Sequence, residues 1–318
     1  MSGRVGIVGA GAFGGGLACA WGRAGPVTLW GRDAAAMARA QATRALPRLP
    51  GAALPDAVTV TADPAALEAC DTLVLAVPTQ TLAAAVAALP LAPARAVAAC
   101  KGVERGTLRG PTAILAERWP DTAAAILSGP SFAADLARGL PTALSLACAD
   151  DAACIRMQEA LSTPALRLYR TADVAGVELG GALKNVVAIA CGAAIGAGLG
   201  ESARAALMTR GMAEIARLAA RLGARPATLS GLSGLGDLAL TCASPQSRNF
   251  ALGHALGAGR PPPDATAEGV PTAEAALALA AREGVELPVT AAVHALVAGA
   301  VAVEDAVRAL LSRDLTTE

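Results

Sequence analysis

Of the 26 basic residues in this chain only Lys101 and Lys184 are lysines; the other 24 are arginines. A lysine amine can give and take a proton when its surroundings lower its proton affinity, whereas a guanidinium stays charged. Lys184 stands in Val177–Gly200, read VELGGALKNVVAIACGAAIGAGLG, which is otherwise almost wholly apolar or glycine. In a helix starting near Ala175, apolar residues 179, 183, 186, 187 and 190 surround it. An ionisable group so placed is a candidate site residue, since such groups cluster at functional sites. Lys101 follows the run 94–100, apolar but for Arg95. If that run is a strand, Lys101 lies at its carboxyl end, where open α/β sheets bind ligands. Asp237 closes the glycine-rich loop GLSGLGD. Ser247, Arg248 and Asn249 then gather a hydroxyl, a guanidinium and an amide in consecutive positions. Such a triplet at a helix start can hold a phosphate by charge-assisted hydrogen bonds. An N-capping serine beside a solvated arginine is the competing reading.

The elements that must carry these residues can be read in order. A β-branched run at 4–8 leads directly into Gly9-Ala10-Gly11-Ala12-Phe13-Gly14 and a helical pattern to residue 24. This is G-x-G-x-x-G with a strand before it and a helix after it, the context that dinucleotide binding requires. Gly9 permits the tight turn, Gly11 lets backbone approach a pyrophosphate, and Gly14 allows close packing of helix on strand. The next strand, Val27–Trp30, ends at Gly31-Arg32-Asp33. NAD-type folds usually place an acid there, on the ribose 2′-hydroxyl. Arg32 suits a 2′-phosphate, so NADP(H) is favoured, while Asp33 keeps NAD(H) open.

Further strands are expected at 58–61, 72–77, 94–100, 123–127, 143–148 and 166–169, with helical stretches between them, among them one ending at 67–70 and others at 81–89, 133–138 and 151–161. That alternation predicts an α/β, Rossmann-type, doubly wound parallel sheet over residues 1–171. Ser128-Gly129-Pro130-Ser131 falls at another carboxyl edge, where small residues could admit a substrate to backbone donors. From residue 172 to 318 only helical patterns follow, so an all-α C-terminal domain is predicted there. Its helices are read over 172–187 and beyond, 202–222, 227–231, 249–256, 271–283, 288–296 and 303–311.

Composition bounds the function class. The formal net charge is zero, no run of like charges occurs and aromatic content is 2%. These features argue against a nucleic-acid surface. The longest apolar tract, 186–200, is short and glycine-rich for a span of roughly 20 residues, so membrane insertion is not expected. Seven cysteines form no C-x-x-C pair, which fits a reducing cytoplasm. His254 and His294 have no ligand-spaced partners, so no metal is expected.

Taken together the motifs resemble one family, the bacterial NAD(P)H-dependent glycerol-3-phosphate dehydrogenases. The resemblance rests on GAGAFG at 9–14, LWGRD at 29–33, CKGVE at 100–104, SGPSFAADLARGLPTA at 128–143, ELGGALKNV at 178–186, GLGDLALTC at 234–242, QSRN at 246–249 and AEGV at 267–270. It implies interconversion of dihydroxyacetone phosphate and sn-glycerol 3-phosphate for glycerophospholipid synthesis, and a homodimer. It also implies that Lys184 is the general acid/base with Asp237 beside it. Lys101, Gly129, Ser131, Ser247, Arg248 and Asn249 would line the substrate. Ala12, Phe13, Arg32, Lys101, Ala133, Arg248 and Glu268 would contact the cofactor. Ala12 lacks the hydroxyl often carried there, and Thr266 stands where an aliphatic residue is common, which bears on the part Thr266 and Glu268 play in cofactor binding. Two other readings stay open: a ketopantoate-type or β-hydroxyacid reductase with a carboxylate substrate, and a non-catalytic nucleotide sensor.

Overall fold

The structure, a computed structural model, describes residues 3–264 and 266–306. Among these, contacts divide the chain into two compact units. One comprises the chain to Lys101 together with Arg109–Glu178; the other comprises Gly102–Leu108 and the chain from Leu179 onward. The division thus falls inside a helix that begins at Val174, a few residues past the expected boundary at 171, and the short segment after Lys101 groups with the helices.

In the first unit eight strands form one sheet: β1 (Val5–Val8), β2 (Val27–Trp30), β3 (Val58–Thr61), β4 (Thr72–Leu75), β5 (Arg95–Ala98), β6 (Ala123–Ser128), β7 (Thr142–Cys148) and β8 (Leu166–Thr171). Their spatial order is 3-2-1-4-5-6-7-8. The sequence of each strand matches its place. β1 and β4, covered on both faces, are buried at every residue, whereas β3 and the edge strand β8 alternate buried and exposed positions. β1 pairs with both β2 and β4, so the chain order reverses beside β1, the point where such sheets open a ligand crevice.

The helices of this unit are α1 (Ala12–Gly22), α2 (Ala34–Thr43), α3 (Thr79–Ala87), α4 (Pro111–Arg118), α5 (Ala133–Arg138) and α6 (Asp151–Leu161). The expected helix ending at 67–70 is a 3₁₀ turn over Pro64–Leu67, capped by Asp63. The sheet also departs from all-parallel pairing, because β7 runs antiparallel to β6. The connection between them holds only the six-residue α5, too short for the crossover that a parallel neighbour needs. All three tryptophans are anchored in this unit through their indole N–H groups. Trp21 donates to Leu161 O at 2.7 Å, Trp30 to Ala62 O at 3.0 Å and Trp119 to Leu91 O at 2.7 Å.

Among the described residues the second unit is helical: α7 (Val174–Gly196, from Leu179 on), α8 (Gly200–Arg221), α9 (Pro226–Leu229), a π-helical turn (Leu232–Gly236), α10 (Asp237–Cys242), α11 (Arg248–Gly257), α12 (Gly269–Glu283) and α13 (Pro288–Val297). The helix expected over 303–311 is present at 303–306, and its remainder lies outside the described residues. α7 is 23 residues long and apolar enough to cross a bilayer, longer than the tract read from sequence, but 89% of its apolar window is buried within the protein. Glycines let α11 lie directly on it. A Cβ at Gly192 or Gly196 would meet the carbonyls of Phe250 or His254 at 2.1 and 2.2 Å. Conversely, a Cβ at Gly253 or Gly257 would meet those of Ile189 or Ala193 at 2.0 and 2.1 Å. No residue with a side chain fits at these four crossings.

Candidate active site

In the sheet unit the predicted nucleotide residues lie at the end of β1. Gly9 has φ +115°, a conformation open to glycine, and its N–H donates to Trp30 O at 2.9 Å. Gly14 packs against it so closely that a Cβ would stand 2.0 Å from Gly9 O. Gly11, the N-cap of α1, is different: a Cβ there would meet nothing within 4 Å. The turn is therefore closed on the protein side and open at Gly11. No side chain caps α1 and no acid stands in its first turn, so Ala12 and Phe13 sit at an uncompensated positive helix end. Ala133, the first residue of α5, backs this helix, since a Cβ at Gly16 would lie 2.7 Å from its carbonyl. Arg32 is exposed just past β2. Its neighbour Asp33 serves as the N-cap of α2, accepting from Ala36 N at 2.9 Å.

Three predicted substrate residues of this unit come together beside Phe13. Lys101 Nζ donates to Gly129 O at 3.1 Å and lies 5.9 Å from the centre of the Phe13 ring. Ser131 Oγ donates to the same carbonyl at 3.2 Å. Gly129 itself has φ +146°, which a side chain would strain. The ends of β5 and β6 and the start of α1 thus set a cation, a hydroxyl and a glycine turn side by side.

In the helical unit Lys184 is 6% exposed and Asp237 fully buried. Lys184 Nζ donates to Asp237 Oδ1 at 2.5 Å and to Thr241 Oγ1 at 2.6 Å. Thr241 lies one helical turn after Asp237 on α10 and donates to the same carboxylate oxygen at 3.3 Å. Thr241 escaped the sequence reading; its signal was the i, i+4 spacing from Asp237, visible only once a helix starts at that aspartate. An ammonium buried against a carboxylate and a hydroxyl is held in one orientation by charge-assisted bonds.

Ser247 caps α11, its Oγ accepting from Phe250 N at 3.2 Å, and Arg248 is the exposed first residue of that helix. Asn249 is buried, donates to Asn185 Oδ1 at 2.9 Å and accepts from Gly269 N at 3.0 Å. Glu268, half-buried, precedes α12 and its carbonyl accepts from Thr272 Oγ1 at 2.6 Å, while Thr266 is exposed.

Other chemistries find little support in the geometry. All seven cysteines are buried free thiols. The Cys242 thiol is pushed up from its ordinary value, first by a hydrogen bond with Cys191 and then by burial, which disfavours the thiolate a nucleophile needs. Among the described residues no three His, Cys, Asp or Glu side chains gather as metal ligands would.

Comparison with known proteins fits this arrangement. Residues 4–154 match the N-terminal domain, and residues 173–308 the C-terminal domain, of NAD-dependent glycerol-3-phosphate dehydrogenase. The glycerol-3-phosphate dehydrogenase [NAD(P)+] of Cereibacter sphaeroides is 56% identical over 317 residues, covering 99% of this chain and 100% of the relative. That of Paracoccus denitrificans is 53% identical, covering 99% of each. The crystal structure of glycerol-3-phosphate dehydrogenase from Coxiella burnetii superposes with a TM-score of 0.92 at 35% identity, over 98% of this chain and 99% of that one. With both halves matched in order and relatives aligned end to end, the chain belongs to the NAD-dependent glycerol-3-phosphate dehydrogenase family.

Proposed function

We propose that this protein catalyses the reversible NAD(P)H-dependent reduction of dihydroxyacetone phosphate to sn-glycerol 3-phosphate, the backbone for glycerophospholipid synthesis. The observation that carries the reading is the buried Lys184 ammonium, held by Asp237 and Thr241. A bound dinucleotide fits the turn that is closed at Gly9 and Gly14 and open at Gly11, and when bound it supplies the hydride. Ala12 and Phe13 at the start of α1 would hold its pyrophosphate, and Arg32 its 2′-phosphate. Asp33 is already engaged as a helix cap, which supports preference for NADP(H) over NAD(H). Lys101, Ala133, Arg248, Thr266 and Glu268 complete the proposed nucleotide contacts.

Lys184 holds its proton at Nζ and gives it to the ketone oxygen as negative charge develops there. Placing an oriented cation at that oxygen stabilises the transition state more than the ground state. Asp237 and Thr241 fix the direction of the amine and Asp237 balances its charge. Arg248, with Ser247 and Asn249 at the α11 N-terminus, takes the phosphate, and Lys101, Gly129 and Ser131 hold the remainder of the substrate. Binding energy from the phosphate, remote from the reacting carbon, positions the ketone.

The test follows NADPH oxidation with dihydroxyacetone phosphate, dihydroxyacetone and a 2-keto carboxylate. The phosphorylated ketone should be strongly preferred, and Arg248→Ala, with NADPH saturating, should erase most of that preference in kcat/KM. Turnover of the keto acid with dihydroxyacetone phosphate inert would replace this reading with a carboxylate reductase. Cofactor binding without turnover of any of the three would favour a sensor.

A further inference from the structure

Asn185, Asn249 and Gly269 form a buried relay across three helices. Gly269 is the first residue of α12, so its N–H has no acceptor within its own helix. It donates instead to the Asn249 side chain, at 3.0 Å. A backbone N–H can only donate, so the Asn249 atom facing it is the amide oxygen. The Asn249 nitrogen is then turned toward Asn185, which must present its own oxygen, as it does at 2.9 Å. One backbone donor thereby sets the orientation of both amides. The third side closes sterically, because a Cβ at Gly269 would stand 2.7 Å from the Asn185 backbone carbonyl oxygen.

Each member of this relay directly follows a charged residue of the proposed site: Lys184 before Asn185, Arg248 before Asn249, Glu268 before Gly269. Asn249 lies buried, with its carbonyl end committed to Gly269 and an N–H committed to Asn185. Arg248, one residue away, is exposed. We infer that Asn185 is a positioning residue: through Asn249 it fixes the start of α11, and so Arg248, and the start of α12, relative to Lys184. The role rests on the phosphate-binding reading given above. In this assignment the Asn249 side chain serves first as the joint of that relay, and the phosphate is carried chiefly by Arg248.

The test uses the full-length enzyme and the variants Asn185→Leu, which removes the acceptor at similar size, and Asn185→Asp, which retains one. Two quantities are read: hydrogen–deuterium exchange at the Gly269 amide, and the ratio of kcat/KM for dihydroxyacetone phosphate to that for dihydroxyacetone. In Asn185→Leu the Gly269 amide should exchange at least tenfold faster, and the ratio should fall at least tenfold. Asn185→Asp should stay closer to the parent in both. Asn185→Ala carries the same expectation as the leucine variant should the latter fail to fold. Unchanged Gly269 exchange would overturn the relay. Equal losses for both substrates, in an enzyme whose parent prefers the phosphorylated one, would overturn the positioning role and mark Asn185 as general scaffolding. A parent with no preference for the phosphate would instead overturn the functional reading, and Gly269 exchange alone would then decide the relay.

Discussion

Replacing Lys184 separates two things a buried cation can do. Arginine keeps the charge but cannot release a proton near neutral pH, whereas alanine removes both. If Lys184 is the proton donor, Lys184→Arg and Lys184→Ala should each lower kcat by about 10²-fold or more, with little change in NADPH affinity. Near-parental turnover in the arginine variant would show that charge alone suffices. Arg32 tests a different contact. Arg32→Ala should weaken NADPH by roughly tenfold, the order of one exposed charge-assisted hydrogen bond, and NADH much less. Equal losses for both nucleotides in a binding titration would remove Arg32 from the 2′ position. At this scale legibility followed scarcity and setting. Lys184 stood out because lysine is rare here and its neighbours are apolar. Thr241 did not, because one threonine in TCAS carries no signal until the register of α10 brings it to the same amine. Asn185 stands beside Lys184 in the sequence, but Asn249, from which its oxygen accepts, lies 64 positions away along the chain, beyond any local pattern.

Between elements, Glu178 shows how the chain builds the approach to Lys184, which lies on the same helix, α7. Its Oε1 accepts from Thr112 N at 2.7 Å and from Thr112 Oγ1 at 2.9 Å, closing the N-terminus of α4, and a Cβ at Gly110 would strike the carboxylate. Burial pushes this carboxyl above its ordinary value of 4.5, against the downward pull of the two Thr112 hydrogen bonds. A raised value means that the folded chain holds the proton longer than the unfolded one. Stability contributed by Glu178 is therefore fully present below the unfolded value and is lost as pH rises through the folded one. Glu178→Gln lacks that titration, so its melting temperature relative to the parent should climb as pH is raised from about 4 toward neutrality. A pH-independent difference between the two melting curves would refute the shift.

Strand positions in this unit were legible because buried parallel strands are short, β-branched runs between turn residues, and Val27–Trp30 and Val58–Thr61 fall where the runs placed them. The direction of β7 was not legible, since it depends on the length and path of a connection rather than on the strand's own residues. α4 was also missed, although Gly110-Pro111 is a helix-start signal, because its eight residues give the apolar pattern only about two turns in which to repeat.

At the scale of the molecule, most of the proposed dinucleotide contacts fall in the sheet unit, and the proposed proton donor falls in the helical one. A ligand that binds the folded sheet unit and not the unfolded chain should stabilise that unit by mass action, by about 2.7 kcal/mol at a free concentration 100 times its Kd. The anchored indoles make this measurable without labels. Trp21, Trp30 and Trp119, and Tyr169 as well, all belong to the sheet unit, and the helical unit contains no tryptophan or tyrosine. Emission excited at the red edge of tryptophan absorption therefore comes from one unit alone, while far-ultraviolet circular dichroism, rich in helix signal, reports both. Added NADPH should raise the midpoint of the emission transition; an unmoved midpoint at saturating nucleotide would place its binding elsewhere. The placement of three indoles thus gives the protein an intrinsic optical label on the unit assigned to the nucleotide, and leaves the unit of Lys184 dark.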